Sequence, residues 1–101
     1  MLTRCVFISE EGTISDVSIN IDANEHGKML GGDITFVGQI EHSVYGPVVF
    51  MKGNKSLPVS NPHRLPYPLQ NEVVNGPMIC MRIDGGVDQH FTTKEYVELF
   101  E

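Results

Sequence analysis

The residues best suited to chemistry in this chain are its two cysteines and four histidines. A thiol becomes a nucleophile where an exposed, electropositive setting turns it into thiolate beside a histidine. Cys5 stands in RCVFIS and Cys80 in PMICMRI, apolar runs of strand type. Both therefore read as small buried hydrophobes. A disulfide between them would need adjacent strands and an oxidising compartment. His26, His42, His63 and His90 are scattered, with no cysteine or second histidine at ligand spacing. No metal is expected, and each histidine is expected on the surface or in a turn. No serine sits in a G-x-S-x-G elbow. Gly31-Gly32 leads into a strand rather than a helix, the wrong setting for a phosphate-cradling loop. The acid pairs Glu10–Glu11 and Asp84–Asp88 read as solvated turns. No acid/base set assembles, so the expectation is a protein that is not an enzyme and holds no cofactor.

Binding is the remaining option, and NPHRLPYPLQ (61–70) is the segment that offers it. Proline-rich extended backbone is already ordered and loses little entropy on docking. Arg and Tyr are residue types enriched at interface hot spots. His63, Arg64, Leu65 and Tyr67 are thus the candidate binding residues. The competing reading packs Leu65 and Tyr67 on the chain's own core. With 13 acidic and 7 basic residues the formal charge is −6. No Lys/Arg cluster is present, which argues against nucleic acid, a partner that needs its phosphates neutralised. No apolar run approaches the roughly 20 residues of a membrane span. The opening MLTRCVFISEEG lacks the long apolar stretch and small-residue cleavage site of a secretion signal. A cytoplasmic protein without membrane contact is expected.

The elements that must carry these residues follow from periodicity and turn residues. RCVFIS (4–9) and TISDVSI (13–19) read as strands about a turn at Glu11-Gly12. In the second, Ile14 and Val17 are out of phase, which a bulge would reconcile. Asp22 and Glu25 have capping-box spacing before ANEHGKML, a short helix that Gly31 would end. DITFVGQIE (33–41) alternates as a strand with one apolar face. Residues 53–71 hold Pro58, Pro62, Pro66 and Pro68, so neither helix nor central strand runs through them. An ordered strap lying over the core is expected there. Near the end, Thr92 and Glu95 form a capping box, and Phe91 and Tyr96 a hydrophobic staple, for a helix over 93–100.

Two stretches, YGPVVFMKGN and NGPMICMRID, share a pattern: Gly-Pro, four residues rich in aliphatics, then one basic residue. Each is apolar in both strand phases, which requires cover on both faces. Both are therefore expected as central strands of one sheet. Shared physics accounts for the likeness more simply than internal duplication. The C-terminal helix is expected to cover one face, and the proline-rich strap or another layer the other.

The order of LGGDITFVG (30–38), NPHRLPYP (61–68), GPMICMRID (76–84) and FTTKEYVELF (91–100) resembles small uncharacterised proteins encoded by large DNA viruses of algae and protists. More faintly it is similar to a phage domain of unknown function. The resemblance covers about residues 28–101, without the first hairpin, and carries no catalytic residue. It implies a viral accessory or virion protein in a host cytosol.

The sequence thus specifies a single α+β domain over 1–101. It is a mainly antiparallel sheet of about five strands with a C-terminal helix and one short helix. The expected function is a protein-interaction module whose strap or free sheet edge docks on a host or viral protein, or on a second copy. The alternative is a small-ligand or nucleotide-binding domain with Gly31-Gly32 and Arg64 near one pocket.

Overall fold

Six strands build one antiparallel sheet among the residues that the computed structural model describes, 2–54 and 57–100. Lys55 and Ser56 of the expected strap, and the terminal Met1 and Glu101, lie outside the described residues. The strands are β1 (Leu2–Ile8), β2 (Ile14–Asn20), β3 (Ile34–His42), β4 (Gly46–Gly53), β5 (Met78–Asp84) and β6 (Val87–Gln89). Their order is β2-β1-β5-β4-β3, and β6 pairs with β5 beyond the stretch that β1 occupies.

The twin stretches are the central neighbours β4 and β5. Their antiparallel register sets Phe50 opposite Cys80 and Met51 opposite Ile79. Val48, Phe50, Met78 and Cys80 are wholly buried on one face, here face I. Met51, Ile79 and Met81 are buried on the other, face II. Burial on both sides is what an apolar residue in every phase demands.

Of the two covers expected for the second face, the strap or another layer, the structure has the other layer. The strap and the C-terminal helix both lie on face I, where Leu65, Val74, Tyr96 and Leu99 join the core of Val6, Phe50 and Cys80. Face II is covered by the short helix α1 (Glu25–Leu30), whose Leu30 packs with Cys5, Ile19, Met51 and Ile79. This helix carries the chain from edge strand β2 to the opposite edge strand β3. It passes so close to β4 that a Cβ on Gly53 would stand 2.3 Å from the Leu30 carbonyl oxygen.

Three local expectations are corrected. Asp22 and Glu25 do not form a capping box: residues 21–23 make a separate 3-10 turn capped by the Asn20 side chain, and Asn24 is left-handed. The Glu25 carboxylate accepts instead from the Asn20 N–H. β2 pairs with β1 in unbroken register from Leu2↔Asn20 to Ile8↔Ile14. Its phase mismatch means only that Ile14 serves face I while Val17 and Ile19 serve face II. The bulge lies in β3, between Phe36 and Gly38. It switches faces along the strand, so that Ile34 packs on face II, Val37 and Ile40 pack on face I, and Phe36 is exposed.

The C-terminal capping box is present. The Thr92 hydroxyl accepts from the Glu95 N–H, and the Glu95 carboxylate accepts from the Thr92 N–H. It starts α2 (Thr93–Tyr96), which tightens into a 3-10 turn over Val97–Phe100. The staple is an edge contact of Phe91 on Tyr96, 6.5 Å between centroids. Tyr96 and Leu99 are buried, whereas Val97 and Phe100 of the same segment are each 48% exposed.

Candidate functional site

The strap is a loop with a pinned base and a docked tip. At the base, Ser60 bridges Asn75 and the Asn61 N–H donates to the Val74 carbonyl at 2.7 Å. The Asn61 side chain then ties three chain segments together. Its Nδ2 donates to the Ser9 and Gly76 carbonyls, both at 2.8 Å, and its Oδ1 accepts from the His63 N–H at 2.9 Å. Ser9 belongs to the β1–β2 hairpin, whose turn needs Gly12 twice over. Its φ is +88°, and a Cβ there would lie 3.0 Å from Pro62 Cγ. At the tip, Leu69 covers Gly38 of the β3 bulge so closely that a Cβ on Gly38 would be 2.7 Å from Leu69 Cδ2. The compact, self-packed excursion between the two is an Ω-type loop.

Its side chains divide between an inward and an outward set. Leu65 and Pro66 are buried, and Leu69 is half-buried against the core of face I. Arg64 and Tyr67 point outward, Tyr67 being 77% exposed. The Tyr67–Pro68 peptide is cis. His63 is half-buried rather than at the surface. Its Nε2 lies 2.8 Å from the Tyr96 hydroxyl, and its ring packs at 5.8 Å on Tyr96 and 6.2 Å on Phe100. Burial lowers its pKa from the ordinary 6.5, and a backbone hydrogen bond to Gly12 partly opposes that.

Between strap and C-terminal turn lies an open groove of about 390 Å³. Tyr67 and Phe100 form its exposed aromatic rim, and Leu65, Pro66 and Leu99 its buried floor. Arg64 and Gln70 are the polar residues lining it. The Phe100 ring is wedged by Tyr96 at 5.6 Å as well as by His63. Three of the four candidate residues, Arg64, Leu65 and Tyr67, thus share one groove. His63 stands behind it as a support. Leu65, expected in the binding surface, is 3% exposed and acts as floor and core. Phe100 was missed, because a capped helix end gave every reason to turn its last aromatic inward.

Other expected sites are dispersed. Gly31 ends α1 on face II, while Arg64 rides on face I, so the structure does not bring the two together. Cys5 and Cys80 are free and buried, one in the core of each face. Desolvation pushes the Cys5 thiol up to about 12 and raises that of Cys80 well above its usual value. Neither is a thiolate near neutral pH. His42 accepts from the Val44 and Tyr45 N–H groups in the β3–β4 turn, and His90 accepts from the Arg4 N–H. Tyr45 in turn bonds Glu98 at 2.6 Å, and Arg82 Nε donates to the Tyr45 carbonyl, tying that turn to the C-terminal helix. Among the described residues no group of His, Cys, Asp and Glu is placed to hold a metal ion. No described helix is long and apolar enough to cross a membrane.

A family profile described as "Family of unknown function (DUF5880)" matches residues 6–99. The chain belongs to the DUF5880 family. The DUF5880 match begins within β1, so it takes in the first hairpin that the motif resemblance left out. It spans both layers of cover, the strap and every residue lining the groove except Phe100. No curated protein and no solved structure matches the chain.

Proposed function

We propose that this DUF5880 protein is a non-enzymatic protein-interaction module that docks through the groove between its strap and its C-terminal turn. The observation that carries this is the division of labour along the strap. Asn61, Leu65, Leu69 and Val74 are spent on holding the loop, while Tyr67 is held 77% exposed across from the half-exposed Phe100. A large aromatic left in water on a pinned scaffold costs little entropy to bury again. Fixed loops on rigid sheets are where binding residues concentrate. The proposed setting, a virion or the cytosol of a virus-infected cell, rests on the motif order alone.

A photo-crosslinking amino acid at position 67, with position 87 at the β5–β6 hairpin as control, tests the proposal in cells that make the protein naturally. Adducts to a discrete partner from position 67 and not from position 87 support it. Adducts from neither position, or equally from both, contradict it.

A further inference from the structure

Resting on that reading of the groove, we infer that its occupant is an extended, proline-containing peptide segment of a partner protein that presents a carboxylate to Arg64. Two features of the site lead there. The rim is a pair of aromatic rings, Tyr67 and Phe100, over an apolar floor. Aromatic-lined grooves take polyproline-type segments, because proline rings stack on aromatic faces and the segment is ordered before it binds. The second feature is charge. In a chain of formal charge −6, the one charged residue among the described residues lining this groove is the exposed Arg64.

The nearby acids of α2 and the turn after it are already engaged, Glu95 in the capping box and Glu98 by the Tyr45 hydroxyl. A guanidinium at an apolar rim selects a planar anion, the carboxylate, with two parallel hydrogen bonds. Gln70 supplies a further polar contact. Its Oε1 is enclosed without a donor among the described residues, and the soft terminal torsion of the amide lets it turn toward a peptide N–H in the groove. The same charge argument weighs against a second copy of this chain as occupant. The chain's own proline-rich strap carries Arg64, which would bring guanidinium against guanidinium.

Fluorescence anisotropy with two labelled synthetic peptides tests this. The peptides are identical polyproline-type segments with one leucine, differing only by a Glu or a Lys at one position. The Glu peptide is expected to bind the intact protein roughly three- to tenfold more tightly than the Lys peptide. Arg64→Glu is expected to reverse that order, and Tyr67→Ala to abolish binding of both. Equal binding of the two peptides, an order unchanged by Arg64→Glu, or no binding of either overturns this inference. So does a sedimentation profile showing a dimer that Tyr67→Ala disperses. Failure with peptides alongside a clean adduct from position 67 removes the partner class and leaves the docking proposal standing.

Discussion

His63 of the strap and Tyr96 of α2 meet with Nε2 2.8 Å from the phenolic oxygen, the one side-chain hydrogen bond that joins the two covers of face I among the described residues. Tyr96 is fully buried and its hydroxyl is held protonated by desolvation. The bond therefore persists across the neutral range, and what titrates is the imidazole. Because the folded pKa of His63 lies below 6.5, the unfolded chain binds the extra proton first as pH falls. Stability contributed by neutral His63 is complete above about 6.5 and declines as pH drops from there toward the lowered folded value. Thermal melts should show this decline in wild type. His63→Gln, which keeps a polar contact without titrating, should flatten it.

Removing the hub of the strap should loosen the loop without touching the sheet. Asn61→Ala strands two carbonyls and one N–H that the side chain now satisfies. A loss of roughly 2–3 kcal/mol in urea unfolding is expected. Amide exchange in 61–74 should speed up by more than the loss that β4 and β5 share through global unfolding. Uniform loss of protection would mean that the strap is part of one cooperative unit with the sheet.

Two glycines should respond in a fixed order. On Gly38 an added methyl meets the movable end of Leu69, whereas on Gly53 it meets the backbone of Leu30 at 2.3 Å. Gly38→Ala is expected to cost about 1–2 kcal/mol, and Gly53→Ala clearly more, as overpacking against immovable atoms does. Denaturation midpoints of the two variants check the order.

Both thiols should be silent in the native protein. Buried Cys5 and Cys80 with raised pKa values predict no reaction with an aromatic disulfide reagent until denaturant is added, and then two equivalents. Fast labelling of either in the native state would mean that a face of the sheet opens readily.

Much of this architecture is legible in the sequence, because it depends on local rules. Central burial of β4 and β5 follows from apolar residues in both phases, and the Thr92–Glu95 box from spacing alone. What escaped depends on contacts between distant residues. The β3 bulge comes with Leu69 packing over Gly38, and a strict period-two reading of 33–41 has no means of sensing that. Which face the strap covers is fixed by α1 crossing the other one, a choice between layers that periodicity leaves open. In the candidate site, residue type alone singles out Tyr67 and Arg64. The importance of Asn61 was hidden, since its carbonyl partners are Ser9 and Gly76. Phe100 was not legible as a surface residue, because in the closing 3-10 turn Leu99 takes the inward position and leaves Phe100 half-exposed.

In the proposed function the outward edge of the strap binds while its inward edge folds. Affinity capture of the partner by Tyr67→Ala, scored beside its thermal melt, tests it most directly. An exposed substitution away from the core should move the melting temperature by less than about 4 °C. Capture should be lost at that unchanged stability. Retained capture, or a melting temperature that falls as far as that of Leu65→Ala, would contradict the account.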